Sequence, residues 1–407
     1  MIQKLSIPLQ GADIYCDFES DIGPVAEYPR FEYSMKDVKR AGEIIAGELP
    51  WNDETAPQIR DAFHIANNWR DAHAYPMRSL RYSLMWFMRH HHLEGVTVAR
   101  LKRMQAIRRK LRRIPHNLSQ LQDLGGCRAI LPSIADVRSL VALLRDRTRH
   151  HQRAEDDYIA KPKPDGYRSH HLMFLYRGRG PAAVHDDRRI EVQIRTRLQH
   201  SWATAVEAVG LFRGEDLKGN QGSADWLRLF QLMSLEFAVA EGFPELRDVP
   251  PRHSRIAEIK ELDQKLEAAS TLQNMSYAVR WTDIAIQPGD KVRYYLIEFD
   301  NATKQVRVIP YFNPKSATFS YDNAESFDNK SGMASKNIVL VEADKLENLK
   351  TAYPNYFGDV QLFKKQLNNL TRGKDVEEYT VKPQETVSQR PKENPDLSWF
   401  KRRIRWN

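Results

Sequence analysis

Two carboxylates stand out, each beside a short apolar stretch. Asp123 opens Asp123-Leu-Gly-Gly-Cys-Arg128-Ala-Ile-Leu131, and Glu191 opens Glu191-Val-Gln193-Ile-Arg195-Thr196. An aspartate leading into an apolar strand can sit at the strand mouth and offer a hard oxygen to Mg²⁺. Gly125 and Gly126 allow the backbone to approach phosphates closely, although taken locally the pair also reads as an ordinary loop. Period 2 puts Glu191, Gln193 and Arg195 on one face of a strand, with Val192 and Ile194 on the other. Three such side chains on one face require a cleft or water there.

Two further segments carry cations and an aromatic ring. Arg100-Leu-Lys102, with Lys110 beyond it, reads as a strand-to-helix turn that projects charge toward one cleft, where cations would neutralise a polyphosphate. Taken alone, a basic helix is more often a solvated face. Lys161-Pro-Lys163-Pro-Asp165-Gly166-Tyr167-Arg168-Ser169-His170-His171 is a Pro-rich loop leading into a strand. Tyr167 offers a ring for base stacking, and Lys163, Arg168 and His171 can contact phosphates or move protons. Locally, the same tyrosine also fits a half-buried turn residue.

The elements that must position these groups follow from periodicity. Ser34 and Asp37 open a helix over Val38, Ala41, Ile45 and Leu49, and Ser133 with Asp136 opens another over Val137, Leu140, Val141 and Leu144. Residues 55–92 read as two helices broken near Tyr75-Pro76. The consecutive His90, His91 and His92 point in different directions and read as a solvated helix end. Strands are expected at Val96–Val98, Cys127–Leu131, 152–159, 169–176 and 188–195, and helices at 197–212, 224–242 and 254–272. Beyond 275, Arg293–Phe299 and Gln305–Phe312 form a hairpin signal around Asp300-Asn301. Ser316–Tyr321 and Asn337–Val341 read as further strands, followed by helices from 343 and at 359–370. This pattern predicts an α+β fold around a mixed β-sheet with flanking helices.

Composition bounds the function classes. The 407 residues carry 62 Lys+Arg against 53 Asp+Glu, a formal charge of +9 that favours polyanionic partners. The two cysteines, Cys16 and Cys127, make neither a disulfide framework nor a zinc site. The N-terminal stretch lacks a secretory h-region and no apolar run is long enough for a bilayer, so a cytoplasmic protein is expected, with neither membrane nor DNA as partner.

In combination, "GYRSHH", then "EVQIRT", then "HSWA", preceded by "R-x-K" and "DLGGCR", resemble the synthetase domain of RelA/SpoT-type alarmone synthetases over roughly 95–250. The resemblance implies a nucleotidyltransferase-like pyrophosphokinase with ATP as donor and Mg²⁺ as cofactor. Asp123 would hold the ion, and Glu191 would share it or act as general base. Arg100, Lys102, Lys110, Arg128, Lys163, His171, Gln193 and Arg195 would bind ATP and its phosphates. Tyr167, with Asp165 and Arg168, would bind the acceptor. The last two depart from the family pattern, which has Asn and Gln there, so the acceptor side differs while the ATP side is kept.

The segment "LVEADKLENLKTAYPNYFGDVQLFKKQL" resembles the C-terminal part of CapRel-like fused toxin–antitoxin anti-phage proteins. It implies an N-terminal helical extension at 1–94, a toxin domain at 95–275, and a small β domain shaped like a metal-free zinc finger at 276–342, with no zinc. An antitoxin-like autoinhibitory helical segment at 343–373, carrying Tyr353 and Tyr356, and a flexible basic tail at 374–407 complete the expected order. The acceptor implied is the 3′ CCA end of tRNA, with GDP or GTP as the alternative, and the activator a phage protein such as a capsid protein.

Overall fold

The computed structural model describes residues 24–47, 52–213, 217, 222–243, 249–278, 280–281, 292, 294–300, 303, 305–313, 316–321, 323–324, 336–342 and 360–377. Tyr353, Tyr356, the helix expected from 343 and nearly all of the tail lie outside them.

Helix α1 (Met35–Ala46) begins at Ser34, whose hydroxyl accepts from the Asp37 N–H while the Asp37 carboxylate returns a bond to the Ser34 N–H. Helices α2 (Ala56–Asp71) and α3 (Ala74–His90) follow, with the break at Ala72–His73. Pro76 is accommodated in the first turn of α3, where its missing N–H costs nothing. His90–His92 form the exposed end of α3, with His90 stacked on Trp86.

The strands are β1 (Val96–Leu101), β2 (Gly125–Leu131), β3 (His151–Asp157), β4 (His170–Leu175) and β5 (Arg189–Thr196), then β6 (Arg280–Trp281), β7 (Tyr294–Asp300), β8 (Gln305–Tyr311) and β9 (Lys336–Glu342). They form one mixed sheet in the order β3-β4-β5-β2-β1-β9-β7-β8-β6. Between them run α4 (Met104–Arg113), α5 (Ile134–Arg147), α6 (Arg197–Arg213), α7 (Ala224–Ala240), α8 (Arg252–Leu266), α9 (Ala268–Ala278) and α10 (Gln361–Thr371). The single helix expected over 254–272 is two, broken at Glu267, whose φ of 47° puts it in the left-handed region. Ser316–Tyr321, expected as a strand, is helical. The Asn313 side chain accepts from the Ser316 N–H at 2.9 Å and starts the turn, a local bond that outweighs strand propensity.

Alternation divides the two faces of β2, β4 and β5. Cys127, Ala129, Leu131, Leu172, Phe174, Val192 and Ile194 point into a core shared with α3 and α5. The opposite face carries the polar residues of the site. A second core joins α6–α10, with Trp226, Phe230 and Phe363 fully enclosed, and a third joins α1, α2 and α4.

The C-terminal strands are fastened to the front half of the chain by buried charge. β9 meets β1 at Glu342 opposite Ala99. The Glu342 carboxylate lies 3.2 Å from the Arg81 guanidinium and 3.4 Å from that of Arg78, all three nearly solvent-free. Arg78 also donates to the hydroxyls of Tyr28 and Tyr294. Among the described residues, no helix is long and apolar enough to cross a membrane.

Candidate active site

β1 and β2 run antiparallel, Leu101 opposite Gly125, and the Lys102 N–H donates to the Leu124 carbonyl at 2.8 Å. That pairing sets Lys102 beside Asp123, and two turns along α4, Lys110 reaches the same carboxylate. Lys102 Nζ lies 2.9 Å and Lys110 Nζ 2.8 Å from Asp123 Oδ2. Burial works against the Asp123 charge, but the two ammonium groups outweigh it and hold the carboxyl below its usual range. Its other oxygen, Oδ1, is buried with no hydrogen-bond partner among the described residues. An unpartnered, ionised carboxylate oxygen is costly unless something cationic takes it up.

Parallel pairing of β2 with β5 places Gly126 opposite Glu191 and Arg128 opposite Gln193, while β4 sets His171 opposite Gln193. Glu191 Oε1 lies 3.0 Å from His171 Nδ1, and Glu191 Oε2 accepts from Gln193 Nε2 at 2.8 Å. Burial opposes the Glu191 charge as well, and His171 again overrides it, so Glu191 is ionised at neutral pH. His171 Nε2 is hydrogen bonded to the Tyr167 hydroxyl at 2.9 Å.

These groups line one cleft of about 740 Å³. Arg100, Lys102, Lys110, Asp123, Arg128, Lys163, Asp165, Tyr167, His171, Glu191, Gln193 and Arg195, all singled out from the sequence, share its walls. Asp165 accepts from the Tyr167 N–H at 2.9 Å and so shapes the turn that presents the ring. Arg195 lies deep, its guanidinium donating to His200 Nδ1 at 2.6 Å.

Arg168 is the exception, and the acceptor-side role expected for it does not fit. It does not line the cleft; it is buried behind it, donating to Ser234 Oγ at 3.2 Å and the Ile159 carbonyl at 2.8 Å. Neighbours in extended chain face opposite ways, so a Tyr167 turned into the cleft turns Arg168 out of it.

Tyr158 was not singled out from the sequence. Its ring stands edge-on to His171 at 5.1 Å, and Lys163 Nζ sits 4.4 Å above it and 5.2 Å from the Tyr167 ring. Only its place at the end of β3, next to a strand carrying His171, signals this. Along α4, Arg103, Arg109 and Arg113 extend the cationic wall, while Arg108 and Arg112 turn away and donate to the carbonyls of Ile45, Ala46 and Gly47.

The donor set suits a magnesium ion. Two ionised carboxylates face the cleft, one with a buried oxygen unpartnered among the described residues, and hard oxygen donors with room for phosphate oxygens and water are what that ion takes. Among the described residues no cluster of three or more His, Cys, Asp or Glu side chains comes together as a metal cage.

Residues 99–213 match the family described as the region found in RelA / SpoT proteins. The chain carries a RelA/SpoT-type domain. The matched residues contain the second half of β1, all of β2, β4 and β5, and all the cleft residues named from the sequence. The chain is 32% identical over 144 residues to the GTP pyrophosphokinase of Haemophilus influenzae, covering 33% of this chain and 18% of that one. Against the GTP pyrophosphokinase YjbM of Bacillus subtilis it is 35% identical over 121 residues, 28% of this chain and 55% of the relative. The aligned part thus spans about a fifth to a half of these curated relatives. Among solved structures, small alarmone synthetase 1 of Bacillus subtilis bound to pppGpp aligns with 24% identity over 41% of this chain and 88% of that chain, at a TM-score of 0.36. A GTP pyrophosphokinase family protein from Streptococcus pneumoniae aligns with 21% identity over 49% and 94%, also at 0.36.

Proposed function

We propose that the chain transfers the pyrophosphate of ATP to a ribose hydroxyl, and that the acceptor is the 3′ CCA end of tRNA. The observation that carries the transfer reaction is the pairing of Asp123, with its buried Oδ1 unpartnered among the described residues, and ionised Glu191 in one cation-lined cleft that also presents Tyr167. The acceptor oxygen forms a bond to the β-phosphorus of ATP as the bond from that phosphorus to the α–β bridging oxygen breaks, and AMP leaves. The hydroxyl proton passes to a Glu191 oxygen. Lys102 and Lys110, with Arg100 and Arg128, hold the polyphosphate and meet the charge that spreads over it. Asp123 and Glu191 would hold Mg²⁺, which when bound supplies charge neutralisation at the phosphate oxygens. Tyr167 stacks on the acceptor base.

The tRNA acceptor draws support from the +9 charge, from the arginines that continue the cleft wall along α4, and from Asp165 at the acceptor loop. A blocked 3′ end cannot be aminoacylated, so such an enzyme would be a translation-stopping toxin. In that reading Tyr353 and Tyr356 act in cis to restrain it, and a phage protein releases it in antiviral defence. GDP or GTP is the second acceptor reading, favoured by the names of the curated relatives.

Incubation with ATP labelled at the γ-phosphate, with deacylated tRNA, GDP and GTP in parallel, separates the two. Label on tRNA supports the first reading; label on guanine nucleotide alone overturns it. Changing Tyr353 and Tyr356 together to Ala should raise basal turnover with thermal stability unchanged, and unchanged turnover would remove the autoinhibitory role.

A further inference from the structure

Tyr167 is braced from behind by aromatic contacts that end in α10. Its ring meets Trp202 edge-on at 6.3 Å, and Trp202 meets Phe230 edge-on at 6.1 Å while its indole N–H donates to the Phe230 carbonyl at 2.7 Å. Phe230 packs on Phe363 of α10 at 5.5 Å, and Phe237 closes on the same ring at 5.8 Å. Phe363 is completely buried.

The loop itself is tied to α7. Ser234 Oγ donates to the Gly166 carbonyl at 2.5 Å, and Gln231 Nε2 donates to the Pro164 carbonyl at 3.0 Å. Gly166 has φ +94°, and a Cβ there would stand 3.0 Å from Ser234 Cβ and 3.3 Å from Gln231 Cα. The loop can therefore sit this close to α7 only as it does. Close-packed protein interiors transmit strain, so a change under α7 is felt at the loop it holds. The donor-side groups hang elsewhere: Asp123 and Lys102 on the β1–β2 pairing, and Lys110 on α4, which belongs to a separate core with α1 and α2.

We propose that α10, through Phe363, is a specificity-determining element for the acceptor, fixing how Tyr167 stands relative to Glu191 without setting the ATP side. This rests on the pyrophosphate-transfer reading above. Phe363 acts as a positioning residue, through α7, and both helices lie outside the family-matched residues 99–213. Nothing in the transfer chemistry requires α10, so what it adds beyond its share of the second core is acceptor geometry.

The test uses the full chain as wild type, F363A and F363L. Hydrogen exchange is followed over residues 161–168 and over 123–131, alongside KM for ATP and for whichever of tRNA, GDP or GTP takes label. F363A should speed exchange in 161–168 by about tenfold or more while leaving 123–131 as in wild type, because a cavity under α7 loosens what it supports. It should raise the acceptor KM by about tenfold with the ATP KM within about twofold, and F363L should recover most of both effects. Unchanged exchange in 161–168, or equal rises in both KM values, would overturn the proposal and leave Phe363 a general core residue. Faster exchange in 161–168 with no label transferred by wild type to any acceptor would instead uphold the coupling and sink the transfer reading.

Discussion

Lys110 Nζ and Asp123 Oδ2 meet at 2.8 Å, and Lys102 takes the same oxygen at 2.9 Å, which leaves Asp123 Oδ1 buried without a partner among the described residues. One carboxylate thus organises two cations with one oxygen and keeps the other for an incoming positive ligand. Asp123→Asn keeps the shape and removes the charge. AMP release should fall by about a hundred- to a thousandfold, as for the loss of a group aimed at transition-state charge. Titrating MgCl₂ against initial rate checks the cause, since the residual activity should need more of the ion.

The two lysines should behave as donor-side groups. Lys110→Met should raise the ATP KM by about tenfold or more and leave the acceptor KM nearly unchanged. Steady-state kinetics with each substrate varied in turn reads this directly, and a rise confined to the acceptor would place Lys110 on the wrong side of the reaction.

Ring and hydroxyl of Tyr167 make separable contributions. Tyr167→Phe keeps the stacking face and loses the bond to His171; Tyr167→Ala loses both. A stacked base is worth about 1–3 kcal/mol, so Ala should raise the acceptor KM by about 5- to 150-fold and Phe by much less. Comparable damage from both variants would assign the weight to the hydroxyl and not to stacking.

Stability should fall on mild acidification. Burial pushes the imidazoles of His73 and His150 down to about 3, and that of His185 to about 4. Unfolded, each takes up a proton below about 6.5. Between those values the unfolded chain binds more protons than the folded one, so stability is full above about pH 6.5 and is lost as pH drops below it, by at most about 1.4 kcal/mol per pH unit for each histidine. Thermal unfolding at pH 7.5, 6 and 5 should give a steadily lower Tm, and His150→Phe should flatten that slope.

Glu342 should be a structural keystone out of proportion to its single charge. Glu342→Ala strands Arg78 and Arg81, both nearly solvent-free, without their shared carboxylate. Breaking a buried pair from one side costs about 3–5 kcal/mol, so chemical denaturation should show a loss of that order. A change under about 1 kcal/mol would mean that water reaches the arginines.

The parts legible in the chain are those governed by spacing of a few residues. Glu191, Gln193 and Arg195 share a face because strands alternate, and the cap partners Ser34 with Asp37, and Ser133 with Asp136, sit where a three-residue offset puts them. Most of the cleft residues followed from four short segments, since chemistry at phosphates calls for the same residue types wherever it is built. Ser316–Tyr321 and the break at Glu267 differ from the periodic pattern because one side-chain bond, or one left-handed residue, redirects a segment.

Only the tertiary structure decided which elements meet. That two lysines converge on a single aspartate oxygen, that Tyr158 joins Tyr167 and Lys163, that Arg168 turns its back on the cleft, and that β9 lies beside β1 are consequences of long-range burial. Sequence determines what each segment can offer. The pairing of faces is settled by which arrangement hides the most apolar surface while leaving buried charges partnered, and that is a property of the whole chain at once.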